Sequence, residues 1–207
     1  MMNSIQSEEQ NVAGLNFLHD LKKATSEAHI QLEKVPLSMR LMAADVTDHD
    51  VYIYIRAMRE IIYYGETVIF PLLAPLVDDI TDRHKLPIID VDLAEMHDII
   101  DATVRWPRYN FTNAVTSGEA FGFMYVMEGS TLGGKLINKH LTESSSNKGK
   151  AARFFDVYGD RTGIRWKSFI ATLSLYAIQD HLQEEIIKGA VKTFISIHDY
   201  FLSIRYK

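Results

Sequence analysis

Two separated stretches of this chain carry residues whose type and spacing suit chemistry. In the first, His29 follows Ala28 at the edge of an apolar helical stripe, and Glu33 stands one turn later on the same face. A carboxylate placed there accepts a hydrogen bond from whichever ring nitrogen a metal leaves free, an arrangement that suits iron ligation. Lys22, two turns earlier, is placed to pair with an acidic group at the edge of a cofactor. Each has an ordinary alternative: a lone histidine on such a face is more often structural than a ligand, and a lysine is more often simply solvated.

The second stretch is residues 122–138. Phe123, Met124, Val126, Met127, Leu132, Leu136 and Ile137 give it a helical pattern, yet Gly129, Gly133 and Gly134 fall within six residues. An interior helix glycine costs roughly 1 kcal/mol relative to alanine, so the sequence calls for backbone, not side chain, at that surface. Positions 122, 126, 129, 130, 133, 134 and 137 share a face and read Gly, Val, Gly, Ser, Gly, Gly, Ile. A large flat molecule can lie against such a face, and so can another helix at very close range.

The other histidines have plainer readings. His49 belongs to a helix start, and His19, His84, His97, His140, His181 and His198 sit among polar or charged neighbours. A di-iron bundle needs Glu-x-x-His pairs, and the chain has none. Phosphate-binding loops, a Gly-x-Ser-x-Gly elbow and a Gly-x-Gly-x-x-Gly turn are also absent from the sequence.

The elements that must position these residues read as helices throughout. Apolar residues recur at helical spacing over 15–33, and Thr47 with Asp50 forms a start signal for a long aromatic-rich helix from 51 to Pro71. A short helix and loop follow over 72–90, then helices over 91–103, from about 114 to 141, 166–175 and 179–206, with a loop at 144–150. Alternating strand patterns are missing, so the expected fold is all-α. Residues 1–13 read as a polar, acidic, disordered tail and 14–207 as one domain.

Composition bounds the rest. At 207 residues with 47% hydrophobic and 24% charged, the chain is long enough and apolar enough to bury a core. A formal charge of -5 gives no electrostatic reason to expect nucleic acid. The absence of cysteine excludes thiolate ligands and nucleophiles and points to a cytoplasmic setting. The longest apolar run, 68–77, is short and broken by two prolines, so no membrane span is expected.

Taken together, residues 18–33, the run Tyr125-Val-Met-Glu-Gly-Ser-Thr-Leu-Gly-Gly134 and the segment 158–169 resemble the haem oxygenase family, of the bacterial, biliverdin-forming type. The resemblance implies a haem oxygenase-like bundle with haem held between a histidine-bearing helix and a glycine-rich helix. It makes His29 the iron ligand and Glu33 its partner, sets Lys22 and Lys167 beside the haem propionates, and packs Phe194 on the ring. Gly129, Ser130, Gly133 and Gly134 become the wall facing dioxygen.

Two departures stand out. Ser130 occupies a position where animal members carry an aspartate, and Ala171 occupies one where a second basic residue is expected. The implied activity is cleavage of haem to biliverdin, ferrous iron and carbon monoxide. Electrons would come from a ferredoxin or flavoprotein reductase, and a bacteriophytochrome is a possible recipient of the product. The alternative is a non-catalytic haem-binding or haem-sensing protein on the same fold. A related helical fold that hydrolyses thiamin-like compounds uses a cysteine, which this chain lacks.

Overall fold

The computed structural model describes residues 2–99, 104–111, 114–143 and 153–205, with side chains from residue 9 onward. Among these residues the architecture is all-α, and the sole strand-like feature is an isolated antiparallel bridge between Arg105 and Arg205. None of the described helices is long and apolar enough to cross a membrane. The loop expected at 144–150 lies outside the described residues.

The first helix, α1 (Met2–Glu33), takes in the acidic segment at the amino terminus without a break at residue 13. Phe17, Leu21 and Thr25 form its buried edge, where the Thr25 hydroxyl donates to the Leu21 carbonyl at 2.8 Å. Pro36 then opens the short α2 (Pro36–Arg40), where a missing N–H costs nothing. The expected capping box is present at α3 (Asp48–Tyr64): the Thr47 hydroxyl accepts from the Asp50 amide, and the Asp50 carboxylate accepts from the Thr47 amide. Arg40 braces the same carboxylate at 2.8 Å.

Pro71 does not end the helical run. A π turn (Gly65–Ile69) follows α3 and leads into α4 (Phe70–Leu73), which contains Pro71. Widening the turn just before a proline absorbs the missing amide and the crowded carbonyl. The next helix is α5 (Leu86–Glu95), five residues earlier in its start than the periodicity suggests. Pro87 favours a first turn there, and the Glu66 carboxylate accepts from the Lys85 and Leu86 amides at 2.6 and 3.0 Å. Part of the helix expected over 91–103 lies outside the described residues, and residues 97–99 form a 3₁₀ turn instead.

Three long helices complete the bundle: α6 (Ser117–Glu143), α7 (Thr162–Gln179) and α8 (Gln183–Ser203). The boundary expected at 179 shifts because His181 adopts a left-handed φ of 55°, which stops α7 and lets α8 start afresh. In the packing, α8 lies most extensively against α6 and next against α1. The closest approach to α6 is backbone on backbone. A Cβ on Gly122 would stand 2.4 Å from the Ala190 nitrogen and the Ile186 oxygen, and one on Gly189 would stand 2.6 Å from the Glu119 Cα.

Candidate functional site

The glycine-rich face of α6 divides into two surfaces. Gly122 is locked against α8, and a Cβ on Gly134 would collide with the Phe155 carbonyl oxygen at 2.5 Å. The other two glycines look outward: a Cβ on Gly133 would meet nothing within 4 Å, and one on Gly129 would touch only the Trp166 ring, at 3.6 Å. The single bare stripe expected from the sequence is therefore corrected. Close helix packing accounts for Gly122 and a tight approach to the Phe155 backbone accounts for Gly134, while Gly129 and Gly133 form an open wall one turn long.

Exposed apolar side chains extend this wall. Leu132 and Leu136, one turn apart, are 44% and 63% exposed on the half of α6 that follows its buried stretch from Gly118 to Glu128. Ser130 is also exposed, and its hydroxyl donates to the Met127 carbonyl at 2.8 Å. Thr131 donates likewise to the Glu128 carbonyl. Such back-bonding loosens and bends a helix locally, here directly beside Gly129.

Behind the wall is a buried ionic cluster that periodicity did not reveal. The Glu128 carboxylate, 1% exposed, accepts from Arg83 and Lys85, each at 2.5 Å, and from the Tyr158 hydroxyl at 3.0 Å. Arg83 also donates to Asp79, which receives Arg165 as well. Burial works to lower the Lys85 pKa, but Glu128 and Tyr158 outweigh it and hold the ammonium above the ordinary lysine value. Arg83 is raised in the same way, against its own burial, by Asp79 and Glu128. The cluster fastens α6, one residue before Gly129, to the 79–85 segment and to the approach to α7. A signal was available: Glu128 is the only charged residue in the run from Ala120 to Leu132.

On α1, the His29 side chain is 54% exposed. Its ring meets Phe194 of α8 edge to face, with centroids 5.2 Å apart. The nitrogen nearest Glu33 is Nε2, at 3.6 Å, longer than a hydrogen bond. One turn before His29, Thr25 lies beside Tyr125 of α6, where it offsets part of the burial that raises the phenol pKa; Tyr125 is itself one turn before Gly129. Elsewhere α1 and α6 scarcely touch, so each helix carries its candidate residue just past a shared contact.

The cationic residues sit at the edge of this region. A cavity of about 490 Å³ between α1 and α7 is lined by Leu15 and Leu18 of the first helix and by Trp166, Lys167, Ala171 and Ser174 of the second. With Gly14 close against Ser174 and Thr25 beside Tyr125, whose ring meets Trp166, the two helices run antiparallel. One turn beyond Leu18, Lys22 therefore comes level with Lys167, and neither forms an ion pair with another described residue. Sequence reasoning placed Lys167 but missed Trp166, whose ring lies 5.7 Å from that of Tyr125 and covers Gly129.

The residues fit a flat, acid-bearing ring with an iron centre. A half-exposed imidazole stands on one helix, uncovered backbone and apolar side chains stand on another, and two lysines stand at one edge. No cluster of three or more His, Asp or Glu suited to holding a bare metal ion occurs among the described residues, whereas one axial imidazole suffices for an iron already held by a macrocycle.

Comparison with known proteins bears on the family and the fold. A family model described as heme oxygenase matches residues 92–203. A curated heme oxygenase of Xanthomonas campestris pv. campestris (strain 8004) is 28% identical over 116 residues, covering 56% of this chain and 66% of that protein. The chain thus spans just under two thirds of that relative's length. The NO- and CO-bound heme oxygenase of Neisseria meningitidis superposes with a TM-score of 0.66 over 89% of this chain and 92% of the other, at 18% identity. At that identity the likeness establishes the fold.

Proposed function

The chain belongs to the haem oxygenase family, and from that premise we propose that it binds haem as both cofactor and substrate and cleaves it to biliverdin, ferrous iron and carbon monoxide. The observation that carries this reading is a half-exposed His29 on one helix and, on another, a glycine face where a Cβ on Gly133 would meet nothing within 4 Å. When bound, haem supplies the redox-active iron and the ring carbon that is oxidised, with dioxygen and external electrons as co-reactants.

The protein's own residues bind, orient and exclude. His29 would hold the iron of a bound haem through a ring nitrogen. Ligation through Nε2 requires a turn of the ring away from Glu33, which then accepts from Nδ1 and holds the imidazole in place. Lys22 and Lys167 hold the acid groups at one edge. Gly129 and Gly133 admit the ring and a small gaseous ligand where any side chain would obstruct them, while Leu132 and Leu136 keep water from that face. Gly134 serves the packing of α6 and stays out of the cleft.

Electrons come from outside the chain, because no flavin or nicotinamide motif is present in the sequence. A ferredoxin or flavoprotein reductase is the partner class, a bacteriophytochrome is a candidate recipient of biliverdin, and the setting is cytoplasmic.

One observation favours a second reading. The Ser130 hydroxyl already donates to the Met127 carbonyl, so its proton is not directed at the cleft, as suits a non-catalytic haem carrier or sensor. A haemin titration followed by reduction in air separates the two. The oxygenase reading expects a histidine-ligated Soret band that decays as biliverdin absorbance grows. Persistent haem under several electron donors overturns catalysis, and a band unchanged by His29→Ala removes His29 from the ligand role.

A further inference from the structure

We propose that Trp166 sets how haem is turned within its own plane, and so which bridge carbon of the macrocycle lies over the glycine wall; this rests on the haem-binding reading above. The wall offers two glycines one turn apart, and they are unequal. A Cβ on Gly129 would meet Cη2 and Cζ3 of Trp166, both at 3.6 Å, whereas one on Gly133 would meet nothing within 4 Å. The six-membered ring of the indole thus leans over one end of an otherwise bare surface.

The indole is braced on one side. Its ring lies 5.7 Å from Tyr125 and 6.3 Å from Phe169, and Phe169 is fully buried. Tyr125 in turn lies beside Thr25 of α1, so Trp166 stands where both walls of the cleft come together. On its other side the indole borders the cavity between α1 and α7, which it lines beside Lys167, Ile170 and Ala171. A flat ring entering between His29 and α6 meets an aromatic stop at the Gly129 end and free backbone at the Gly133 end.

Why sterics should decide the orientation follows from the charges. The macrocycle core is nearly four-fold symmetric, so only its edge substituents distinguish one rotation from another. A single lysine, Lys167, stands on α7 at the acid edge, and Ala171, one turn on, contributes no second anchor. With Lys22 opposite on α1, the acid edge is held by two point charges on flexible stems, and such an anchor tolerates pivoting. The residue next to that anchor, Trp166, limits the pivot. It is a specificity-determining residue and takes no part in the bond-making step.

The test compares the parent chain with Trp166→Ala and Trp166→Phe. In-plane orientation is read without turnover from the haem methyl resonances of the ferric cyanide complex, and with turnover from chromatographic separation of the biliverdin isomers. The parent should show one dominant orientation. Trp166→Ala should raise the minor-to-major ratio about five- to tenfold, the scale of one lost aromatic contact. Trp166→Phe, which keeps a ring against Tyr125 and Phe169 and serves as the variant least disturbing to folding, should give an intermediate ratio. Unchanged methyl patterns and isomer ratios in both variants overturn the role of Trp166 while leaving the haem reading intact. A parent chain that binds no haemin removes the premise, and both readings fall.

Discussion

The rings of His29 and Phe194 meet edge to face with centroids 5.2 Å apart, which joins the candidate iron ligand on α1 to the helix that α6 is locked against. An edge-to-face pair contributes about 0.5–1.5 kcal/mol beyond burial. Phe194→Leu should therefore leave the fold intact, lower stability by about 1 kcal/mol and weaken haemin affinity about five- to tenfold by freeing the imidazole. Equilibrium haemin titration alongside urea unfolding checks both numbers. Undiminished affinity would mean that Phe194 packs the core without orienting His29.

Gly122 and Gly133 should respond in opposite ways to enlargement. Gly122→Ala drives a methyl into α8 backbone, where nothing flexible can yield, and should cost about 2–4 kcal/mol in unfolding free energy, at or above the usual range for overpacking. Gly133→Leu places its side chain in open space and should change stability by less than about 1 kcal/mol, yet abolish haemin binding. Full haemin binding by Gly133→Leu would dismiss the open wall as a binding surface.

The contrast shows what the sequence made legible. Three glycines in six residues announced that backbone was needed on α6, but periodicity has no means of telling a glycine that admits a neighbouring helix from one that faces a cleft. That distinction depends on where Ala190 and Phe155 arrive, and those are contacts across more than twenty residues of chain. His29, Glu33 and Lys22 could be singled out because they recur within three turns of one helix. Trp166 and the Arg83–Glu128 pair were not, since each acts through an element distant in sequence. The start of α5 was misplaced for a similar reason: the carboxylate that caps it, Glu66, belongs to the π turn.

Glu128 should be a costly residue to remove. Glu128→Ala strips the shared carboxylate from buried Arg83 and Lys85, and breaking a buried pair from one side costs about 3–5 kcal/mol. Thermal and urea unfolding would register the loss, and a change under 1 kcal/mol would show that water or Asp79 can take over the charge. Pairing Glu128→Gln with Lys85→Met should recover part of the deficit, because both ends of one charged contact are then neutral.

A pH dependence follows from the α3 cap. Arg40 and Thr47 outweigh the burial of Asp50 and bring its pKa down from the usual 3.8 to about 2. A carboxylate depressed on folding stabilises the fold above its unfolded pKa and loses that contribution as pH falls through the folded value. Stability should therefore decline between about pH 4 and pH 2 by roughly 1–2 kcal/mol from this group, after allowing for the partial exposure of Arg40. Asp50→Asn should flatten that part of the profile in urea titrations at fixed pH steps. An unaltered slope would assign the acid sensitivity elsewhere.

The notch in which Gly122 and Gly189 let α6 and α8 touch peptide to peptide has a further meaning for the cleft. Since α8 also carries the aromatic ring that His29 leans on, the two jaws are set by a contact whose closest approach is backbone on backbone. Such a joint behaves as the fixed stop of a calliper: its setting is the thickness of two peptide planes, insensitive to rotamers, and the gap that a macrocycle must enter is gauged by hard atoms many residues away from where it is held.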